Sequence, residues 1–185
     1  MKHRIRAFVG LAFIFLLAAA VPYWARAAED VNPEPNLVAE LQAATDGEVR
    51  LSYHGETGLV RFMGTTKDAA IAQSAPAGRN LAPDAAARTF LDRYGPLFGI
   101  TDPDRQLSVM SERALDDGRS VLRYQQTYEG IPVLAGELMV QMTRANAVLS
   151  VNGEVLPDID LDTEPSLTAS AARETALNYV AKVYD

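Results

Sequence analysis

The sequence predicts an α+β fold in which one amphipathic helix packs on a curled antiparallel sheet, preceded by a β-hairpin region and a cleavable signal helix. Apolar residues recur at helical spacing over residues 83–94, and from Leu107 onward period-two runs follow one another with only short turns between them. The composition allows a packed core: of 185 residues, 48% are hydrophobic and 22% charged. Cysteine is absent, which excludes a disulfide framework, a thiolate metal site and a thiol nucleophile.

The amino terminus has the three parts of an export leader. Met1–Arg6 is basic, Phe8–Val21 is almost wholly apolar, and Ala25-Arg26-Ala27 supplies the small-x-small pattern that precedes cleavage. The apolar run is shorter than the roughly 20 residues a membrane-spanning helix needs. Residues 1–27 are therefore expected to be a signal peptide, the exported chain to be secreted or periplasmic, and no membrane to be engaged after cleavage. Cleavage removes four of the 17 basic side chains and none of the 24 acidic ones, so the remainder is more acidic than the −7 of the whole chain. Such a surface repels phosphate backbones, and no nucleic-acid partner is expected.

Residues 28–79 read as an N-terminal hairpin region and linker. Leu37–Leu41 suits a short helical turn, Val49–Tyr53 and Leu59–Met63 alternate as strands around Gly55-Glu56-Thr57-Gly58, and Gly64–Asn80 has no periodicity. Pro83, Ala87, Phe90, Leu91 and Tyr94 then form one helical stripe, with Pro83 in the first turn, Asp84 favourably placed at the positive helix end, and Gly95-Pro96 as the stop. Leu97–Ile100 is expected to turn back into the core.

Leu107-Ser108-Val109 opens a strand, Asp116-Asp117-Gly118 makes a tight turn, and Ser120–Tyr128 is a long strand with Leu122, Tyr124, Gln126 and Tyr128 on one face. Glu129-Gly130-Ile131-Pro132 is expected to interrupt the ladder, Gly130 and Pro132 fixing a bend and Gly136 a bulge or close approach. Leu138, Val140 and Met142 alternate on the next strand. Arg144-Ala145-Asn146 turns into Val148–Val151, and Asn152-Gly153 reads as a further turn. Residues 156–185 comprise an acidic connector, Pro157–Pro165, and a helix from Thr168 to Tyr184 that Thr168 or Ser170 can cap. Nothing follows that helix for its apolar stripe to pack on.

Catalytic patterns are missing. There is no H-E-x-x-H, G-x-S-x-G, phosphate-binding loop or dinucleotide fingerprint, and His54 beside the hairpin turn is the one histidine outside the leader. Asp158, Asp160 and Asp162 have calcium-loop spacing, but Thr163 stands where the loop needs glycine and Ala169 where it needs a bidentate acid. No catalytic residue, metal ligand or cofactor is expected in these residues.

The stretch Arg123-Tyr124-Gln125-Gln126-Thr127-Tyr128-Glu129-Gly130-Ile131-Pro132-Val133-Leu134-Ala135-Gly136-Glu137-Leu138 closely resembles the fungalysin/thermolysin propeptide (FTP) domain of thermolysin-like metallopeptidase precursors. The helix Ala87–Gly99 and Ser150-Val151-Asn152-Gly153 fit the same pattern in the same order, so the resemblance covers residues 80–155. Ala171-Ala172-Arg173-Glu174-Thr175-Ala176 is similar to the opening of a PepSY domain, here truncated.

The resemblance implies a cystatin-like FTP/PepSY arrangement and a propeptide that acts as intramolecular chaperone and inhibitor. Its partner would be a thermolysin-like catalytic domain, engaged in cis or in trans, with zinc and calcium expected only in that domain. The alternative is a free-standing exported module that regulates peptidases or binds a cell-envelope ligand. Candidate partner-binding or fold-defining residues are Arg123, Tyr124, Gln125, Gln126, Tyr128, Gly130, Ile131, Pro132, Gly136, Glu137, Asn152 and Gly153. Among these, Tyr124, Gln126 and Tyr128 suit either an interface centre or the groove between helix and sheet, and Arg123 and Glu137 can pair across adjacent strands.

Overall fold

A computed structural model describes residues 35–73 and 81–184, and the signal peptide expected over 1–27 lies outside them. The fold is α+β, with helices α1 (Pro35–Ala44), α2 (Pro83–Tyr94), the single turn α3 (Pro103–Gln106) and α4 (Ala169–Tyr184). The strands are β1 (Arg50–Tyr53), β2 (Val60–Gly64), β3 (Leu107–Ala114), β4 (Ser120–Tyr128), β5 (Ile131–Met142) and β6 (Val148–Glu154). They form one open, six-stranded sheet in the order β1-β2-β6-β5-β4-β3, with every pair antiparallel.

The N-terminal hairpin is therefore not a unit ahead of the sheet. It completes it, because β2 pairs with β6 through Phe62–Asn152, Met63–Val151 and Gly64–Ser150. The stretch after β2, expected to be all linker, also contributes: Ile71 is buried and exchanges backbone hydrogen bonds of 2.9 and 2.8 Å with Val148.

Period two puts one face of the sheet inside. Met63, Val151, Val140 and Leu122 form one row across four strands and are all fully buried. Helix α2 lays Ala86, Ala87, Phe90, Leu91 and Tyr94 on this face, matching the predicted stripe with Ala86 added and Pro83 left half-buried. Proline at the first helical positions and Asp84 in the first turn begin the helix without a side-chain cap. At the other end Gly95-Pro96 ends the α-helix but not the coiling of the chain. Gly95–Phe98 continues as a 3₁₀ turn that buries Leu97 and Phe98, and the reversal falls at Gly99, whose φ of 81° is left-handed. Helix α1 is longer than expected, buries Leu41, and is tied to α2 by an ion pair of 2.9 Å between Glu40 and Arg93.

Two turn expectations are corrected. Glu129-Gly130 does not break the ladder; Tyr128 pairs directly with Ile131 across a two-residue turn with φ of 49° and 82°. Both values are positive, as the I′ hairpin turn requires. Pro132 follows inside β5, opposite Thr127, and is tolerated because β6 pairs with β5 only from Glu137 onward, leaving no ladder on that side. Asn152-Gly153 is not a turn either. Both lie in β6, where Gly153 pairs with Leu138 so closely that a Cβ would sit 2.0 Å from the carbonyl oxygen of Glu137. Only glycine fits, and the Asn-Gly pair reports that approach rather than a reversal.

Helix α4 starts as expected, with Thr168 Oγ1 accepting from Ala171 N at 3.3 Å, but none of its residues is buried. Leu177, Tyr179, Val180, Val183 and Tyr184 are 52–83% exposed. Helical propensity and its own hydrogen bonds hold it, without tertiary packing. A chain ending at Ser166 is accordingly expected to unfold in urea with a midpoint within experimental error of the longer chain, measured by near-ultraviolet circular dichroism. A clear loss of stability would show that α4 packs on the sheet.

Candidate functional site

The residues selected from the sequence cluster where β4 and β5 fall out of step. Gln125 pairs with Glu137 and Thr127 with Pro132, so the four residues Val133–Gly136 stand opposite Gln126 alone. This is a large bulge, with Ala135 in the left-handed region at φ 63°. Gln125 holds it: its side-chain amide donates to the carbonyls of Val133 and Gly136 at 2.7 and 2.8 Å. Gly136 has the close approach expected of it, since a Cβ there would meet Gln126 Oε1 at 2.6 Å.

Gln126, next in the strand, points to the opposite face and is 1% exposed. Its Nε2 donates to the Leu156 carbonyl at 2.7 Å and its Oε1 accepts from Leu156 N at 2.8 Å. One side chain thus supplies the two bonds a neighbouring strand would, and pins the chain as it leaves β6. The acidic connector consequently starts anchored. It is held again at Thr163, whose hydroxyl donates to Glu129 Oε2 at 2.7 Å.

Tyr124 settles between its two readings by filling the groove under α2. It is fully buried, and its hydroxyl donates to Asp84 Oδ1 at 2.8 Å. Arg88 lies over its ring at 5.6 Å and gathers Asp84, Asp104 and the carbonyls of Pro103 and Leu107. Burial, then the hydrogen bond to Asp84, raises the Tyr124 hydroxyl above the ordinary tyrosine range. Tyr128 is half-buried at the hairpin end.

Arg123 and Glu137 pair as expected on the exposed face, Nε to Oε2 at 2.9 Å. That face carries a continuous row, Phe62, Asn152, Met139 and Arg123, through successive strand pairs. Ile131 is 49% exposed, and Gly130 closes the hairpin. The expected set therefore divides. Tyr124, Gln125, Gln126, Gly130, Gly136 and Gly153 shape the fold, whereas Arg123, Ile131, Pro132, Glu137 and Asn152 remain at least partly accessible.

Asp84 and Arg88, not among the selected residues, complete the link between helix and sheet. Leu134, also not among the selected residues, is 97% exposed at the bulge. Its signal was the run Pro132-Val133-Leu134-Ala135, which loses the alternation that returns at Leu138. Among the described residues no group of three acidic or histidine side chains is arranged to hold a metal ion.

Residues 105–155, from the end of α3 through β6, match the family described as the Fungalysin/Thermolysin Propeptide Motif. That family is described as a propeptide motif, not as a catalytic domain. Curated proteins are similar to the chain over part of its length. Bacillolysin of Bacillus amyloliquefaciens is 27% identical over 101 residues, 54% of this chain and 19% of its own. Thermolysin of Alicyclobacillus acidocaldarius subsp. acidocaldarius is 29% identical over 104 residues, 54% and 19% of the respective chains. The transglutaminase-activating metalloprotease of Streptomyces mobaraensis is 43% identical over 56 residues, 30% of this chain and 7% of its own. The chain thus spans no more than about a fifth of the curated relatives it matches.

Two outcomes test the site's architecture. Gln126→Ala leaves both polar groups of Leu156 without their partners and opens a cavity, so stability is expected to fall by about 2–4 kcal/mol in urea titrations. A loss under ~0.5 kcal/mol would mean the clamp is dispensable. Tyr124→Phe tests the pH linkage. Because the folded hydroxyl titrates above its unfolded value of 10.0, its contribution is fully present below that pH and declines as the pH rises above it. The wild-type advantage over the phenylalanine variant is therefore expected to be constant through neutral pH and to shrink above about pH 10; a difference independent of pH to 11.5 contradicts this.

Proposed function

We propose that this chain is the propeptide region of a secreted thermolysin-like metalloendopeptidase, acting as intramolecular chaperone and inhibitor of its catalytic domain. The observation that carries the reading is the coincidence of the propeptide motif with strands β3–β6, the scaffold on which the bulge and its two glutamine clamps are built. The names of the relatives, all metalloproteases or thermolysin-type enzymes, supply the partner class. A pre-formed sheet can template a slow-folding partner, since each contact it offers is already ordered and costs little further conformational entropy.

In this reading the leader in residues 1–27 exports the precursor and the zinc and calcium belong to the catalytic domain. Helix α4 is the start of a PepSY-like unit, which accounts for its uncovered apolar residues. Among the described residues no helix is long and apolar enough to cross a membrane.

The test is refolding. Mature Bacillolysin, thermolysin and the transglutaminase-activating metalloprotease are each unfolded in guanidinium and diluted with or without the purified chain. Recovered peptidase activity is expected to rise several-fold with equimolar chain for at least one of them, with only weak inhibition of the folded enzymes in trans. No gain with any of the three, against a control protein of similar charge, overturns the chaperone reading.

A further inference from the structure

The bulge does something the fold does not need. Leu134 at its tip is 97% exposed, so it contributes nothing to the core, yet it is presented on a backbone that is both unusual and fixed. Ala135 beside it is held in the left-handed region, and Gln125 ties the carbonyls on either side of the pair, those of Val133 and Gly136. A large apolar side chain held out on an ordered backbone loses little freedom when it is covered, which is the property of an interface anchor.

Directly beside it lies a cleft of about 260 Å³ at the end of the sheet. Its apolar wall comes from Leu59, Phe98, Val133 and Leu156. Four chain segments therefore meet there: the β1–β2 turn, the 3₁₀ turn after α2, the bulge, and the strand exit clamped by Gln126. The turn is itself ordered, His54 Nδ1 accepting from the backbone of Glu56 and Thr57 at 3.3 and 3.4 Å. The rim is acidic. Glu154 is paired with Arg61 at 3.0 Å, while Glu56 has no ion-pair partner among the described residues.

We propose that this end of the sheet is a protein-docking site, in which Leu134 enters an apolar recess of the partner and the cleft receives an apolar side chain in return. The partner is the catalytic domain of a thermolysin-like protease, so the inference rests on the propeptide reading above and names the surface it uses. Charge argues against a second copy of this chain: each surface carries the carboxylate of Glu56, unpaired among the described residues, on a molecule of net charge −7, so two copies would meet like charge with like. The matching surface is apolar with a cation facing Glu56.

The experiment measures binding of the purified chain to catalytically inactive variants of the three mature proteases by calorimetry. Leu134→Asp is expected to weaken the tightest of these complexes by about tenfold or more, and Leu134→Ala by less, as for an anchor side chain. Neither change touches the core, and thermal melts are expected to show both variants folded. Met110→Asp, a similar charge placed on the distant edge strand β3 at a residue 50% exposed, is expected to stay within about twofold of wild type. Hydrogen exchange is expected to slow at residues 54–59 and 133–136 in the complex.

The surface is overturned, with the propeptide reading intact, if wild type binds and Leu134→Asp binds equally well or no better protected amides appear at those segments. Both fall if wild type binds none of the three. If the chain alone sediments as a dimer that Leu134→Asp dissociates, the occupant is a second copy and the proposal is wrong.

Discussion

The architecture depends on one mismatch, four residues of β5 facing one of β4, and on the two glutamines that make it tolerable. A bulge of this size strands backbone carbonyls that the sheet would otherwise satisfy, and a carbonyl left unpaired and shielded from water costs free energy comparable to a lost hydrogen bond. Gln125 supplies the missing donors. Gln126 cannot help, because consecutive strand residues project to opposite faces, so it serves the core face and binds Leu156 instead. Two adjacent, identical side chains thus stabilise two different chain segments. Gly136 is the condition for the second, since a side chain there would displace Gln126.

Around this feature the remaining structure is a conventional two-layer solution. A sheet with one apolar face must bury it, and α2 with the following 3₁₀ turn does so through Phe90, Leu91, Leu97 and Phe98. Orientation is set less by these apolar contacts, which are non-directional, than by the polar link from Tyr124 to Asp84 and Arg88. The buried hydroxyl needs an acceptor at a fixed position, and Asp84 provides it from the first turn of the helix. Arg88, one turn on, extends the link to α3 and the start of β3.

Among the described residues, the opposite face of the sheet and the end bearing Leu134 have no such cover, and helix α4 leaves its apolar residues exposed. Exposed apolar surface on an ordered framework is the arrangement expected of a chain whose work is done against another protein surface. The proposed propeptide role needs a pre-ordered shape, and Tyr124, Gln125 and Gln126 spend their polar groups on holding that shape.

What the sequence determined by itself was whatever depends on neighbours along the chain. Helical period placed α2, alternation placed β4 and the C-terminal half of β5, and the residues from Arg123 to Leu138 identified the propeptide motif before any fold was known. Tertiary structure alone decided whatever depends on distant neighbours. Asn152-Gly153 has the local chemistry of a turn, but the carbonyl of Glu137 occupies the space a side chain would need, and that fact makes it strand. Tyr124 and Gln126 suit an interface or a core equally well by local pattern, and the contacts with Asp84 of α2 and with Leu156 put them inside. The N-terminal hairpin joined the sheet because β6 had an unpaired edge that no local pattern reveals. Leu134 is the sharpest case, since a leucine in an apolar run is a core residue by every local rule, and only the register slip between two strands turns it outward.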